Sequence, residues 1–245
     1  MGRWYWGRDA PRTGGCGRAD GPPGVAAVGA WRARSPGMAR RASRPRIGRI
    51  LPPMHDEHLI ETPVGGRVVH QGRYLTFRQD TVRDADGGEH TRDWVEHPGA
   101  VAMIPIHEGA ILMVRQFRTP AGQVLMEIPA GTLDRAADGS IEDPELASRR
   151  ELAEETGYTA ATWRKLGRFY PAPGFASELM HLYLATDLRP IADYAGPMED
   201  ERIALERIPF ATAIAMAEDG AIADAKTLLG ILWVERLLAR GELHP

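Results

Sequence analysis

Three glutamates lie within five residues of one short segment, and this segment constrains the fold more than any other. Residues 150–158 read Arg-Glu-Leu-Ala-Glu-Glu-Thr-Gly-Tyr. Glu154 and Glu155 therefore lie three and four residues after Glu151. On a helix, such spacings place the carboxylates on neighbouring parts of one face. Like charges so placed repel one another and weaken the helix unless something neutralises them. A hard divalent cation such as magnesium does so, because it takes oxygen ligands from carboxylates and substrate phosphates.

The residues around this segment predict where the helix begins and ends. Asp143 is a residue type that caps helix N-termini, and Pro144 suits the first helical position because its missing N–H needs no partner there. Gly157 is suited to end the helix, since glycine readily adopts the left-handed conformation. The simpler alternative is an exposed acidic helix that binds no metal and is stabilised by ion pairs along its own surface.

The segment resembles the core of the Nudix box. The family pattern is Gly, five residues, Glu, seven residues, and then Arg-Glu-aliphatic-x-Glu-Glu-x-Gly-aliphatic; Glu142 stands eight residues before Arg150, as the pattern requires. At strict spacing the glycine falls on Ala136, so its counterpart is Gly131 and the loop is five residues longer. Tyr158 replaces the last aliphatic residue. We expect Arg150 to pair with a carboxylate such as Glu142 and to orient it.

The flanks of the box resemble the ADP-ribose pyrophosphatase branch of this family. The matching stretches are residues 114–118, 127–131, 171–178 and 222–227, and Pro173 lies 15 residues beyond the box, about where the branch has a proline. The resemblance covers about residues 63 to 240. It implies an α+β fold: a Nudix α/β/α sandwich with a mixed sheet, plus a small N-terminal antiparallel β domain. It also implies a domain-swapped homodimer that hydrolyses ADP-ribose to AMP and ribose 5-phosphate.

The same resemblance implies a magnesium site, in which manganese is a possible substitute. Glu151 and Glu155 are the expected direct ligands, together with the carbonyl oxygen of Ala130. Glu154 is expected to join directly or through water, so it counts among the catalytic residues as well. Magnesium bridges the diphosphate and stabilises the charge that develops as water attacks phosphorus.

The attacking water also needs a base within hydrogen-bond reach. In the family, an acidic loop after the box supplies this base. Glu199 and Glu201 are the candidates in residues 198–202, and Glu178 is a third. The alternative for each of them is a solvated loop carboxylate.

Five residues are candidates for substrate contacts. Arg118 resembles the family arginine that meets the diphosphate or the terminal ribose, since a guanidinium fork suits phosphate oxygens. Arg115 is either a second such residue or a surface residue of a strand. Trp94 resembles an aromatic that stacks on adenine, often from the other subunit; the alternative is ordinary core or interface packing. Glu127 is expected to hydrogen-bond substrate or to hold the loop. Gly131 is the fifth candidate for a substrate contact that the resemblance implies.

Residues 1–53 differ from the rest of the chain in composition. They contain eleven Arg and two Asp, are rich in Gly, Pro and Ala, and lack an apolar period. We expect disorder there, because such a segment buries too little apolar surface to offset its ordering entropy. Three interpretations stay open: an Arg-rich transit peptide, a basic arm, or residues upstream of a true start at Met54. The 28 Arg against two Lys indicate a GC-rich coding sequence, which favours the third.

Two folded regions follow this tail: an N-terminal β subdomain over residues 54–97 and the Nudix domain over residues 98–245. Alternating polarity predicts strands near residues 66–71 and 74–79. Further strands are predicted near residues 100–106, 110–115, 125–129, 163–170, 180–186 and 203–208. Residues 84–88 predict a hairpin turn, because Asp-Gly and Gly-Gly supply positive φ angles. Two closing helices are predicted over residues 209–218 and 225–240. The last is expected to pack through Leu228, Leu229, Leu232, Trp233 and Leu237.

Composition argues against several classes of protein. Without the tail, residues 54–245 carry 19 basic and 31 acidic residues, a balance of −12, which opposes a nucleic-acid partner. No apolar run reaches the roughly 18 residues of a membrane span. Cys16 is the only cysteine, which rules out an internal disulfide and fits a cytoplasmic protein. His97, His107 and His181 lack zinc-binding spacing, so we interpret them as structural.

Two alternatives to ADP-ribose hydrolysis remain. One is hydrolysis of another nucleoside diphosphate sugar, such as GDP-mannose, because one sequence does not reveal which purine the pocket selects. The other is a catalytically silent domain that binds ADP-ribose as a sensor. Such regulators usually carry a helix-turn-helix module, and this sequence shows none.

Overall fold

The computed structural model describes residues 56–196 and 202–244. After a single 3-10 turn at Glu57–Leu59, three strands form an antiparallel sheet: β1 (Thr62–Gln71), β2 (Thr76–Arg83) and β3 (Glu89–Glu96). The predicted turn closes the β2–β3 hairpin, where the Asp84 carboxylate accepts hydrogen bonds from the backbone N–H groups of Asp86 and Gly88. The small N-terminal β domain is therefore confirmed. Its third strand was not predicted, because residues 89–96 are mostly polar and exposed.

Seven further strands form a mixed sheet. They are β4 (Ala100–His107), β5 (Ala110–Arg118), β6 (Gln123–Glu127), β7 (Ala130–Thr132), β8 (Tyr158–Phe169), β9 (Met180–Pro190) and β10 (Ile203–Pro209). The main order is β10-β5-β4-β9-β8, with β6 beside β5 and β7 beside β4. Strands β4 and β9 are parallel, and the other pairs are antiparallel.

Helices cover both faces of this sheet. They are α1 (Pro144–Thr156), α2 (Phe210–Glu218) and α3 (Ala225–Ala239). Alternate side chains of β4 enter different cores: Ala102 and Ile104 pack with α2 and α3. Val101 and Met103 pack with α1 instead. Because β4 is buried on both faces by helices, the predicted α/β/α sandwich is confirmed.

The bounds of α1 agree with the sequence prediction. The Asp143 carboxylate accepts hydrogen bonds from the backbone N–H groups of Glu145 and Leu146, at 2.9 and 3.1 Å. Gly157 ends the helix with φ of 71°. A Cβ at this glycine would lie 2.5 Å from the ring of Tyr194, so both conformation and space require glycine here.

The packing face of α3 differs from the prediction. Its buried face consists of Lys226, Thr227, Gly230, Ile231, Val234 and Leu237. Gly230 lies against the sheet, where a Cβ would be 3.2 Å from side-chain carbons of Ile104 and Ile128. The close approach at Gly230 turns the helix so that Leu232 is 54% exposed, and its place in the predicted core stripe was wrong.

The N-terminal sheet is joined to the loop between β8 and β9. The Val95 N–H donates to the Phe175 carbonyl oxygen at 2.8 Å, and the Ser177 N–H donates to the Val95 carbonyl oxygen at 3.0 Å. These bonds hold the end of β3 beside residues 171–178. Among the residues that the structure describes, no helix is long and apolar enough to cross a membrane.

Candidate active site

Arg150 organises the acidic face of α1. Its Nη2 donates to Glu142 at 2.8 Å, and its Nη1 donates to Glu151 at 2.8 Å and to Glu154 at 2.9 Å. The predicted pairing of Arg150 with Glu142 is therefore present. The hydrogen bond from Arg150 lowers the pKa of Glu142 below its ordinary value. The same bond, with the charge of Glu151, raises the pKa of Arg150, which stays charged.

Strand β7 is fitted closely against this face. The Glu155 side chain is nearly buried, at 6% exposure, and its Oε2 accepts a hydrogen bond from the Ala130 N–H at 3.1 Å. A Cβ at Gly131 would lie 1.9 Å from the carboxylate carbon of Glu151. Ala130, Gly131, Glu151 and Glu155 therefore meet in one place, although Gly131 and Glu151 are 20 positions apart in the sequence.

The donor set of this acidic face fits a hard cation. Glu151, Glu154 and Glu155 supply carboxylate oxygens, whereas zinc sites are built mainly from histidine and cysteine. Within residues 56–196 and 202–244, no three His, Cys, Asp or Glu side chains form a ready metal-binding group. At this face, Arg150 donates to Glu151 and Glu154, and the Ala130 N–H donates to Glu155. A bound cation would compete with Arg150 for the same oxygens.

A cavity of about 600 Å³ opens beside β7. Its walls combine apolar side chains with a few polar groups, which is typical of small-molecule sites. The lining includes His97, Arg118, Glu127, Ala130, Gly131, Glu178, Asp224 and Lys226. Three of the predicted substrate-binding residues, Arg118, Glu127 and Gly131, thus share one cavity with the predicted ligand Ala130.

Glu127 is the most buried charged group of this cavity, at 1% exposure. Arg118 donates two parallel hydrogen bonds to the Glu127 carboxylate, one from Nε at 2.7 Å and one from Nη2 at 2.8 Å. The ammonium group of Lys226 contacts the same carboxylate and lies 3.0 Å from Asp224. The sequence analysis assigned no role to Lys226, because a lysine in the first turn of a helix is ordinarily a solvated surface residue.

The charges around Glu127 decide its ionisation. Burial alone would raise the pKa of Glu127, but the hydrogen bond from Arg118 and the charge of Lys226 lower it below the ordinary value. Glu127 is therefore ionised at neutral pH. Thr227 completes the junction, since its Oγ1 accepts a hydrogen bond from the Ile128 N–H at 2.8 Å.

Glu178 lies at the same cavity beside His97. The Nε2 atom of His97 is 3.8 Å from Oε1 of Glu178. Burial lowers the pKa of His97, and the charge of Glu178 opposes this effect only in part. The other two candidates for the base, Glu199 and Glu201, lie outside the described residues.

Trp94 and Arg115 lie away from this cavity. Trp94 lines a groove of about 430 Å³ with Tyr170 and Phe175. Its Nε1 donates to Asp80 at 2.8 Å, and the Arg78 guanidinium lies 5.5 Å from its ring centroid. Arg115 is half-exposed on β5 and is 3.7 Å from Glu206. A single copy of the chain does not bring either residue to the acidic face.

Comparison with known proteins agrees with this geometry. The NUDIX domain profile matches residues 96–229. An ADP-ribose pyrophosphatase of Bacillus subtilis (strain 168) is 35% identical over 178 residues, covering 72% of this chain and 94% of that protein. An ADP-ribose pyrophosphatase of Mycobacterium tuberculosis is 38% identical over 179 residues, covering 73% and 84%. A GDP-mannose pyrophosphatase of Cronobacter sakazakii is 32% identical over 166 residues, covering 66% and 84%.

A solved structure described as an ADP compounds hydrolase has a similar fold. It superposes with a TM-score of 0.63 at 23% identity and covers 75% of this chain and 97% of that one. The domain profile spans more than half of the chain, and the relatives above 30% identity are matched over most of their length. The chain belongs to the Nudix family.

Proposed function

We propose that this protein hydrolyses the diphosphate bond of ADP-ribose, giving AMP and ribose 5-phosphate, with magnesium as its cofactor. The observation that carries the proposal is the junction of the oxygen-only acidic face of α1 with the cavity that contains Arg118 and Lys226. A bound diphosphate requires a cation site and a neighbouring cavity with donors for its oxygens, and Arg118 supplies such donors. Two relatives bear the name ADP-ribose pyrophosphatase, which supports the choice of substrate.

The metal would be held by Glu151, Glu155 and the carbonyl oxygen of Ala130, with Glu154 joining directly or through water. Manganese would substitute, because it takes the same oxygen ligands. When bound, the cation supplies charge neutralisation for the diphosphate and lowers the pKa of water. Arg150 contributes by holding the carboxylates of Glu151 and Glu154 close together until the cation arrives.

Arg118 is proposed to bind the diphosphate or the adjoining ribose. Its side chain is 38% exposed, although two of its N–H groups are committed to Glu127. The guanidinium has five N–H donors, so it can hold Glu127 and still present donors to phosphate oxygens. Glu127 thus fixes the direction of Arg118, and Lys226 holds the other side of the Glu127 carboxylate.

The base that activates water is proposed to be Glu201, Glu199 or Glu178. Replacing each by glutamine removes the base and keeps the shape of the side chain. Loss of kcat in one of the three variants, with the magnesium dependence unchanged, would identify it. If all three variants kept the activity of the unmodified protein, none of the three glutamates would be the base.

Trp94 is proposed to stack on adenine from a second copy of the chain. Val68 and Val69 are neighbours on β1 and are 50% and 45% exposed, so both faces of this strand are open in a single copy. A homodimer would cover this surface and bring Trp94 to the partner's cavity. Arg115, near the edge of the sheet, is proposed to contact substrate only in the same assembly. We expect the dimer to be cytoplasmic.

The experiment is a substrate panel with the full chain and magnesium. ADP-ribose, GDP-mannose, NADH and diadenosine polyphosphates would be compared, and the products would be separated by chromatography. Preference for ADP-ribose, with AMP and ribose 5-phosphate as products, supports the proposal. The second candidate is GDP-mannose hydrolysis, favoured by the relative with that activity in its name. Binding of ADP-ribose without turnover of any compound would instead indicate a sensor.

A further inference from the structure

At the edge of the cavity, His97 is hydrogen-bonded twice to Ser177, the residue before Glu178. The His97 N–H donates to Oγ of Ser177 at 2.9 Å, and this hydroxyl lies 3.4 Å from the His97 carbonyl oxygen, to which it donates. The ring of His97 then faces the next residue, Glu178. Both side chains are largely enclosed, with exposures of 12% and 24%. The backbone contacts therefore fix the two side chains opposite each other.

The protonation of the His97 ring follows from its second contact. The Gly99 N–H donates to Nδ1 at 3.0 Å, so Nδ1 is an acceptor and carries no proton. In the neutral ring the proton must then be on Nε2, the atom that faces Glu178. The 3.8 Å separation is longer than a hydrogen bond, and contacts of this kind commonly shorten when substrate enters.

Glu178 differs from the other carboxylates of the site in how many of its oxygens have a partner. Glu142 and Glu127 are gripped by arginine forks that occupy both of their oxygens. Among the described residues, His97 is the one ion-pair partner of Glu178, and it reaches one oxygen. The second oxygen stays available as an acceptor towards the cavity.

We propose that His97 is a positioning residue for Glu178, donating from Nε2 to one carboxylate oxygen and directing the other towards substrate. The directed oxygen accepts a hydrogen bond or proton from an O–H group in the cavity, either of water or of a sugar. The inference rests on the proposed hydrolysis for its kinetic consequence. The tautomer and the pairing do not depend on hydrolysis and are testable separately.

The kinetic test is a double-mutant cycle in the full chain. His97→Asn keeps an acceptor for the Gly99 N–H and removes the donor that faces Glu178. We expect it to lower kcat/KM by about 10- to 100-fold, the range found for residues that orient a functional group. Glu178→Gln should lower it at least as much. If His97 acts through Glu178, the double variant is no slower than Glu178→Gln alone.

Two comparisons separate this role from a purely structural one. His97→Gln retains an N–H donor near the position of Nε2 and should recover most of the activity that His97→Asn loses. Thermal unfolding of all variants should stay close to that of the unmodified protein. Losses that multiply in the double variant, or an inactive His97→Gln that is folded, would overturn the proposal.

Nuclear magnetic resonance of the ¹⁵N-labelled histidines tests the pairing without any turnover. The His97 signals are those missing from His97→Asn. We expect the Nε2–H tautomer, and a pKa of His97 that falls further in Glu178→Gln, because the carboxylate charge that opposes burial is gone. An Nδ1–H tautomer, or a pKa that ignores Glu178, refutes the pairing. If the pairing holds and no compound is hydrolysed, the proposed hydrolysis fails on its own.

Discussion

The carboxylate of Glu151 occupies the space in which any residue larger than glycine at position 131 would place its Cβ. Such a Cβ would lie 1.9 Å from the carboxylate carbon of Glu151, much closer than van der Waals contact allows. Gly131 is therefore required by the position of a side chain on α1, not by its own backbone angles. This relationship favours Gly131, on β7, over Ala136 as the counterpart of the family glycine.

The first prediction concerns this contact. Gly131→Ala should displace Glu151 and lower kcat by about 10- to 100-fold, as expected when a metal ligand is mispositioned. The remainder of the fold should persist, because Glu151 lies at a site edge and can move. Steady-state kinetics over a range of magnesium concentrations would test this. Gly65→Ala is the control, since nothing lies within 4 Å of a Cβ at Gly65. Equal activity of both variants would contradict the assignment of Glu151.

The second prediction concerns Glu155. Glu155→Gln should keep its bond to the Ala130 N–H, because the amide oxygen still accepts, and should therefore stay folded. Loss of the charge should reduce turnover by about 100-fold or more, since a metal ligand contributes several kcal/mol to charge stabilisation. Glu145→Gln is the matched control on the same helix, where Glu145 forms an exposed ion pair with Arg149. A variant with unchanged turnover would show that Glu155 binds no metal.

The third prediction concerns the buried charge of Glu127. Glu127→Gln leaves Arg118 and Lys226 without their shared counter-charge. We expect the free energy of unfolding to fall by about 3 kcal/mol, the cost of breaking a buried pair by removing one partner. Urea unfolding at one protein concentration measures this difference. Glu206→Gln, at an exposed pair with Arg115, should change stability little. If both substitutions lowered the free energy of unfolding by the same amount, the ion pairs of Glu127 with Arg118 and Lys226 would have no special role in stability.

The fourth prediction is the pH dependence of that stabilisation. The pKa of Glu127 in the folded protein lies below its ordinary value of 4.5, so folding favours the ionised form. The resulting stabilisation is fully present above about pH 4.5 and is lost as the pH falls through the folded pKa. The stability difference between the unmodified protein and Glu127→Gln should therefore be constant near neutral pH and shrink in acid. A difference that grows in acid would reverse the assigned shift.

The fifth prediction is that the full chain is a dimer. The N-terminal sheet exposes Val68, Tyr74 and Phe77 at 50%, 57% and 39%, which is costly for an isolated copy in water. Light scattering should give twice the mass of 26.9 kDa. Val68→Lys should weaken the dimer, and Glu57→Lys, outside the sheet, is the control. A monomeric mass would reject both the dimer and the role of Trp94 across it.

Local signals accounted for the parts of the fold that the sequence predicted well. The ends of α1 are determined by local interactions of Asp143, Pro144 and Gly157. The sequence therefore predicts these ends without knowledge of the tertiary structure. The continuous apolar run of residues 100–106 likewise predicts a strand, and its hydrophobicity on both faces fits burial between two helical layers.

Features that depend on distant contacts were missed or misplaced. Leu228, Leu229 and Leu232 offer several apolar faces on α3, and only the fit of Gly230 against Ile104 selects one of them. Lys226 resembles any surface lysine until Glu127 is seen next to it. The partner of His97 is equally hidden, because 81 positions separate it from Glu178.

The pairing of Glu127 with Lys226 spans 99 positions and connects the middle of the chain to its last helix. During synthesis on the ribosome, β4 to β10 emerge before α3 does. Until α3 docks, the nascent chain holds Glu127 with a single cation and lacks one wall of the cavity. We therefore expect a stalled or prematurely terminated product to carry the complete acidic face of α1 and still hydrolyse nothing. Hydrolysis would thus begin only after α3 has left the ribosome and has docked against Glu127.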